Sequence, residues 1–386
     1  MNIMGIRDKY AFVGVGLTRM GRLPGISGHE LAVQAALLAM EDAGLNKSEI
    51  NGYICQQTEG SGNSPEVVRD IGISARLIWQ LYGTGTHGIG VFLSAIGALE
   101  SGICDVVMVV YASGTSTAGT GVGRGAPKQS MEGAYGIFGA AAIAAGWARK
   151  YMSLYGTSER HLGEVAVTLR DYANKRPEAI MFDKKLSMED YLNSRYIAEP
   201  LRARDCCLVN DGAAALIITT AEKARNLRRQ PVYIMGYGQD YSAGESASSP
   251  ESVYQFDGAL TGKVSRDTLG MAGIALKDID VAQFYDAFTI NIIDQLSGYG
   301  FCKRGEEGAF IEEGNIRLGG AIPCNTSGTE LSWGYLHVWT HFIEAIRQLR
   351  SEAGECQVKN AEICLVTGGL SAIDSGLTAA CFILRR

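Results

Sequence analysis

The side chains best suited to chemistry gather in two short stretches of the C-terminal half. In Phe284–Asn291 (FYDAFTIN), Tyr285 and Asp286 fall where an apolar strand meets a helix, a position that presents side chains at the C-terminal edge of a sheet. In Gly319–Gly328 (GGAIPCNTSG), turn-forming residues enclose Cys324 and Asn325. The stretch that follows, Leu331–Leu349, reads as a helix carrying Tyr335 and His337. Taken singly, each has an ordinary structural reading: a core aromatic for Tyr285, helix packing for Tyr335 and His337, a packed thiol for Cys324. Taken together, two phenols, an imidazole and a carboxylate are a set for moving protons. A phenol with its ordinary pKa of about 10 is a poor base at neutral pH. It would need a lowered pKa from a neighbour such as His337, or a relay through water.

Other signals fail. Gly14-Val-Gly16 follows a strand, but Arg19 stands where a dinucleotide fingerprint needs its third glycine, and no acidic residue ends the next strand. Gly119–Gly125 lacks the Gly-Lys-Ser/Thr ending of a phosphate loop. Both are expected to be tight turns. No G-x-S-x-G or H-E-x-x-H occurs. The nine cysteines form no C-x-x-C pair and there are five histidines, so no metal site is expected. Two Gly-rich turns, Thr84–Gly88 and Gly368–Leu370, could aim backbone N–H groups at a developing oxyanion.

These residues must be positioned by an α/β scaffold. The chain has 386 residues, 46% hydrophobic and 20% charged, with a net charge of −6. That balance fits a globular protein and gives no broad footprint for nucleic acid or an anionic membrane. No secretory signal opens the chain, and the longest small-apolar run, Phe138–Ala148, is too short to span a bilayer. With cysteines in apolar runs, a cytoplasmic location is expected. Strand-like runs at Tyr10–Gly16, Asn51–Cys55 and Asp105–Tyr111 alternate with helix-like ones at Gly28–Gly44 and His87–Gly102. In Gly28–Gly44 the apolar positions are Leu31, Val33, Ala36, Leu37 and Met40.

The second half repeats this order. AGLNKSEINGYICQ from Ala43 aligns without a gap on AGIALKDIDVAQFY from Ala272, AIGAL from Ala95 on AIRQL from Ala345, and DVVMVV from Asp105 on EICLVT from Glu362. An internal duplication is expected, with halves 1–228 and 229–386 and a long insert at about 113–204 in the first. The insert reads as a ligand-facing lid or as a solvated oligomer arm.

The blocks FYDAFT, GFCKRGEEGAFI, GGAIPCNTSG and GYLHVWTHFIEAIRQLR resemble the thiolase superfamily, nearest its sterol-carrier/lipid-transfer branch, as does PLRARDCCLVNDGAAALIITT from Pro200. The resemblance spans nearly the whole chain. It implies a thiolase fold, duplicated βαβαβαββ halves in a five-layer αβαβα arrangement, and a homodimer whose sites open toward a CoA thioester, with no covalently bound cofactor. Where a thiolase carries its nucleophilic cysteine this chain has Gly85, and its second catalytic cysteine falls near Val366. The lipid-transfer-type aldolases of steroid side-chain breakdown share these losses. By resemblance, Tyr285 and Tyr335 correspond to their catalytic pair, which cleaves a β-hydroxyacyl-CoA by retro-aldol reaction. On the same resemblance, Thr84, Gly85, Thr86, His87, Asn325, Gly368 and Gly369 are candidate substrate-binding residues; for His87 a polar residue at a helix start is the slightly favoured reading. Members of this branch act with a small zinc-ribbon/OB-fold partner, implying a heterotetramer. Trp333, just before the turn, suggests an acyl group of unusual shape. Three readings follow: an acyl-CoA C–C lyase; a β-ketoacyl-CoA thiolase for an aromatic or bulky acyl group, with Cys324 as its nucleophile; and a non-catalytic acyl-CoA or lipid carrier.

Overall fold

The computed structural model describes residues 5–58, 65–83, 88–118, 134, 136–137, 139–242, 258–371 and 377–386. Eleven strands are present among the described residues: β1 (Tyr10–Leu17), β2 (Gly52–Gln57), β3 (Leu77–Tyr82), β4 (Val106–Ser113), β5 (Tyr196–Ala198), β6 (Leu201–Arg202), β7 (Gly212–Thr220), β8 (Val232–Ser242), β9 (Val281–Gln283), β10 (Ile363–Ser371) and β11 (Leu377–Arg385). The helices of ten or more residues are α1 (Gly28–Ala43), α2 (Gly90–Glu100), α3 (Gly139–Tyr155), α4 (Glu159–Ala173), α5 (Ala259–Ala272), α6 (Thr289–Gly298) and α7 (Trp339–Leu349). No helix among the described residues is long and apolar enough to cross a membrane.

Nine strands join in the order β3-β2-β4-β7-β1-β8-β11-β10-β9. The order hides a repeat. β2 pairs β4 in parallel, and β4–β7 and β7–β1 are antiparallel; β9 pairs β10 in parallel, and β10–β11 and β11–β8 are antiparallel. The two sets touch through two residue pairs between β1 and β8, Ala11 with Tyr233 and Phe12 with Val232. Local structure repeats as well. α1 and α5 both end in a left-handed glycine, Gly44 at φ 68° and Gly273 at φ 64°. Each is followed by a single 3-10 turn, Lys47–Glu49 or Leu276–Asp278, before the next strand.

Strand residues alternate between two packing environments, as the two-residue strand period requires. Ala11, Val13, Met108 and Ile217 pack under α1, whereas Phe12, Val107, Val109 and Leu216 face the molecule's centre. There α2 and α7 lie between the two sets of strands. Phe92 of α2 and Phe342 of α7 have ring centroids 4.2 Å apart; Phe12 on β1 sits 5.8 Å from Phe92, and Phe382 on β11 sits 5.3 Å from Phe342. With α1 and α5 outside, this is a five-layer helix–sheet–helix–sheet–helix body.

Gly14 and Gly16 are not turn residues. They lie inside β1, where a Cβ on Gly16 would come 2.0 Å from the Ala35 carbonyl oxygen and one on Gly14 2.5 Å from that of Ala39. β8 repeats the device with Gly236 and Gly238 beneath α5, at Thr268 and Val264. The absent side chains let helix backbone rest on strand backbone. This also corrects the expected core face of α1: Leu31, Ala32, Ala35, Ala36 and Ala39 are buried, whereas Leu37 is 50% exposed, because only small residues fit against the glycine pair. Gly119–Gly125 lies outside the described residues. Gly16→Ala should destabilise the fold by about 2–3 kcal/mol, the scale of overpacking a close-packed contact. The midpoint of urea unfolding measures it; an unchanged midpoint would show that the contact gives way freely.

Candidate active site

The site is assembled from the loop after β9, the turn at 325–338 and the first turn of α7. The loop is held from both sides. Asn325 receives the Phe284 N–H on its Oδ1 at 2.8 Å, and its Nδ2 donates to the Phe284 carbonyl at 2.7 Å and to Thr329 Oγ1 at 2.8 Å. The Tyr285 N–H donates to Thr367 Oγ1 at 3.0 Å, and Gln295 Nε2 donates to the Tyr285 carbonyl at 2.8 Å. Thr367 sits on β10 at an irregularity that includes Gly368, so Gly368 and Gly369 lie beside the Tyr285 anchor.

Asp286 is wholly buried and faces inward. Its carboxylate accepts from Thr329 Oγ1, from the Glu330 N–H at 3.2 Å, and pairs with His341 Nε2 at 2.8 Å. It is an anchor joining three segments, not a group open to substrate.

The expected helix at Leu331–Leu349 is corrected. Thr329–Trp333 is one π-helical turn, Gly334 ends it, and α7 begins only at Trp339. Tyr335 and His337 therefore stand on irregular backbone. Asn325 (φ 50°), Thr329 (φ 30°) and His337 (φ 52°) all take left-handed conformations, which non-glycine residues adopt where surrounding contacts impose them. Asn210 supplies one such contact, accepting the Tyr335 N–H at 2.7 Å. Insert residues Ile180 and Met181 supply others, their N–H groups bonding the carbonyls of Trp333 and Ser332, and the N–H of Leu208, just beyond the insert, bonds the carbonyl of Glu330. Arg170 Nε donates to Ser332 Oγ at 3.0 Å, and Arg176 pairs with buried Glu344 of α7 at 2.6 Å.

The result brings Tyr285, Tyr335 and His337 together. The Tyr335 hydroxyl is close enough to Tyr285 to act on its acidity, and Tyr335 Oη is 2.8 Å from His337 Nδ1. Tyr285 is 6% and His337 2% exposed, while Tyr335 is only partly buried and gives the cluster its outlet. Tyr111 of β4 packs edge-on to His337 with ring centroids 5.2 Å apart. Neither phenol is acidified. Burial first, then the nearby Glu330, pushes Tyr285 well above 10, partly offset by the Tyr335 hydroxyl; burial and then Tyr285 itself push Tyr335 the same way. The expectation of a phenol lowered by His337 is thus corrected, because desolvation outweighs the imidazole. Both phenols hold their protons at neutral pH.

Two residues do not join this cluster. Cys324 is fully buried, bonds the Ile322 carbonyl at 3.0 Å, and has its thiol pushed well above 9 by burial. A thiolate nucleophile is disfavoured there. Trp333 is also fully buried, between Arg176 and Arg347 at 5.9 and 5.1 Å, so it does not shape an acyl pocket. Asn325, read as substrate-binding, spends its amide on the Phe284 clamp. Thr84, Gly85, Thr86 and His87 lie outside the described residues; Gly88, which follows them, lies against Val338, next to His337. Sequence reasoning missed Glu330, His341, Asn210 and Thr367. An acidic residue amid turn and apolar residues was the one available signal for Glu330, and for His341 its place four residues after His337 in the sequence.

A duplicated five-layer fold with a polar site at the ends of its central helices defines a thiolase-type enzyme. The comparisons with known proteins agree: residues 248–380 match the family model described as thiolase C-terminal domain-like. The chain belongs to the thiolase superfamily, in its sterol-carrier/lipid-transfer branch. It is 34% identical to a steroid side-chain-cleaving aldolase of Thermomonospora curvata, over 95% of this chain and 96% of that one. It is 34% identical to 17-hydroxy-3-oxo-4-pregnene-20-carboxyl-CoA lyase of Mycobacterium tuberculosis, over 95% and 98%. The solved Ltp2-ChsH2(DUF35) aldolase superposes with a TM-score of 0.86 at 30% identity, covering 98% of both chains.

Asn325→Ala should lower stability by about 3 kcal/mol, since it strands a buried backbone N–H and carbonyl at Phe284. Denaturant unfolding reads the loss, and a change below about 0.5 kcal/mol would mean the clamp is dispensable.

Proposed function

We propose that this enzyme cleaves the Cα–Cβ bond of a β-hydroxyacyl-CoA by retro-aldol reaction, with Tyr285 and Tyr335 as the catalytic pair and His337 as proton store. The observation that carries this reading is the cluster of Tyr285, Tyr335 and His337, in which Tyr335 Oη lies 2.8 Å from His337 Nδ1 and the Tyr335 hydroxyl acts on Tyr285. Because both phenols start protonated, the base acts by relay. The substrate hydroxyl gives its proton to Tyr335 as Tyr335 passes its own to His337 Nδ1. The C–C bond then breaks, its electrons entering the thioester as an enolate while the alkoxide becomes a carbonyl. Tyr285 protonates the α-carbon and is refilled through Tyr335 from His337, so no proton is gained or lost. The developing enolate oxygen calls for fixed N–H donors; of the two segments expected to supply them, 84–87 lie outside the described residues, and 368–370 belong to strand β10 rather than to a turn. The buried thiol of Cys324 weighs against the thiolase alternative.

The names of the two 34% identical relatives support a steroid-derived acyl group as the substrate class. The Ltp2-ChsH2(DUF35) aldolase supports a DUF35-type partner, in keeping with the zinc-ribbon/OB-fold subunit expected from the resemblance. A homodimer core is supported by β3, an edge strand whose Ile78, Trp79 and Tyr82 are exposed at 46%, 39% and 74%. Such an edge invites pairing with a second copy.

Tyr285→Phe and Tyr335→Phe should each reduce kcat by about 100-fold or more, with smaller effects on KM. Steady-state cleavage of a steroidal β-hydroxyacyl-CoA, with the partner present, tests this, and undiminished turnover in both variants would remove the reading. Separately, Trp79→Lys should convert the dimer to monomer in sedimentation analysis; a persistent dimer would place the interface elsewhere.

A further inference from the structure

Glu330 is a fully buried carboxyl whose two side-chain oxygens have no hydrogen-bond partner. Its backbone is well used, the N–H on Asp286 and the carbonyl accepting from Leu208. Facing it is a nitrogen that is itself unpartnered: Nδ1 of His341, 4.0 Å from Glu330 Oε1, in a ring that is also fully buried. The other ring nitrogen is engaged by Asp286 at 2.8 Å. One imidazole thus lies between two carboxyls of unequal support. Asp286 has three donors, which suit an anion; Glu330 has none.

An ionised carboxyl without donors in a dry site is costly, and Asp286 nearby makes it costlier. A protonated Glu330 removes that cost, and a small rotation of the carboxyl brings its O–H onto His341 Nδ1. The titratable groups around Glu330 come from every side. Tyr285 and Asp286 belong to the loop after β9, Tyr335 to its own turn, Tyr111 to β4, Cys207 to the strap before β7, and His341 to α7. None of them is a fixed cation, so nothing there favours a second buried negative charge.

We propose that Glu330 is held as a neutral acid directed at His341 Nδ1, and that its neutrality allows Tyr285 and Tyr335 to carry transient negative charge during turnover. Resting on the retro-aldol reading, this makes Glu330 a positioning residue that acts through the phenols and touches no substrate. As pH rises and Glu330 loses its proton, its charge opposes phenolate character in both tyrosines and the relay slows. Glu330 therefore sets an alkaline limit on activity.

The test is the pH–kcat profile of the partner-bound enzyme with Glu330→Gln and Glu330→Asp. Gln is neutral at every pH and can donate to Nδ1. Glu330→Gln should keep kcat at pH 7 within about threefold of the parent while losing its alkaline limb. Glu330→Asp, still titratable, should retain that limb. Phenolate absorbance titration without substrate gives a second readout. Two buried tyrosines should ionise about one pH unit or more lower in Glu330→Gln than in the parent, the scale of removing one nearby charge. An unchanged alkaline limb together with an unchanged tyrosine titration overturns the proposal. A parent enzyme that cleaves no β-hydroxyacyl-CoA overturns the retro-aldol reading instead, and the absorbance titration still decides the role of Glu330. Should Glu330→Gln fail to fold, ¹⁵N spectra of the parent's His341 take its place. A neutral ring with acceptor Nδ1 at pH 7 supports the proposal, and an imidazolium refutes it.

Discussion

One buried carboxylate holds this site together. Asp286 binds a hydroxyl of the π-helical turn, a backbone N–H of the same turn, and the imidazole of α7. The loop after β9, the π-helical turn that starts 43 residues beyond Asp286 and the α7 helix that follows it are thereby fixed relative to one another at a single point. A buried carboxylate is tolerable only when its oxygens are satisfied, so the arrangement is close to all-or-none: loss of one donor leaves a charge the interior cannot solvate. The left-handed residues of the turn persist because such contacts over-determine them.

The insert of the first half adds the second constraint. Carbonyls of a π-helical turn are poorly served within the turn, and here they are taken up by N–H groups of Ile180 and Met181 in the insert and of Leu208 just after it. Arg170 and Arg176 reach into the same region, Arg176 to neutralise Glu344, which also accepts from Thr326 Oγ1 at 2.6 Å. Described residues of the insert thus brace the turn that carries Tyr335. A wholly solvated arm would not make these contacts.

The scaffold places the site and leaves its chemistry to local substitution. Two copies of one strand order put α2 and α7 side by side, with their N-terminal ends converging near His337 and Val338. At this end of the scaffold stand two phenols and an imidazole, and burial pushes both phenols above their ordinary pKa. Burial therefore bears on the proposed mechanism, which uses the phenols as a relay ending at His337 rather than as free bases.

Much of the framework was legible in the chain itself. Apolar runs with β-branched residues marked β1, β2 and β4, and the ungapped match from Ala43 to Ala272 anticipated the paired helix ends, 3-10 turns and strands. Tyr285 and Tyr335 were legible as a pair through their motif blocks. What the chain could not show was anything set by contacts between distant segments. The helix pattern after Leu331 is real, but bonds from Asn210, Leu208 and Met181 pull its first part off the helix and turn His337 toward Tyr335. Gly14 and Gly16 resembled turn residues because a missing side chain reads the same whether it serves a bend or a close approach. Trp333 looked like a substrate wall and Cys324 like a nucleophile because sequence carries residue type, whereas solvent access and the resulting pKa exist only after folding. Glu330 is the extreme case: a charged residue by sequence, it becomes a group that must hold its proton solely because the tertiary structure buries it without a donor.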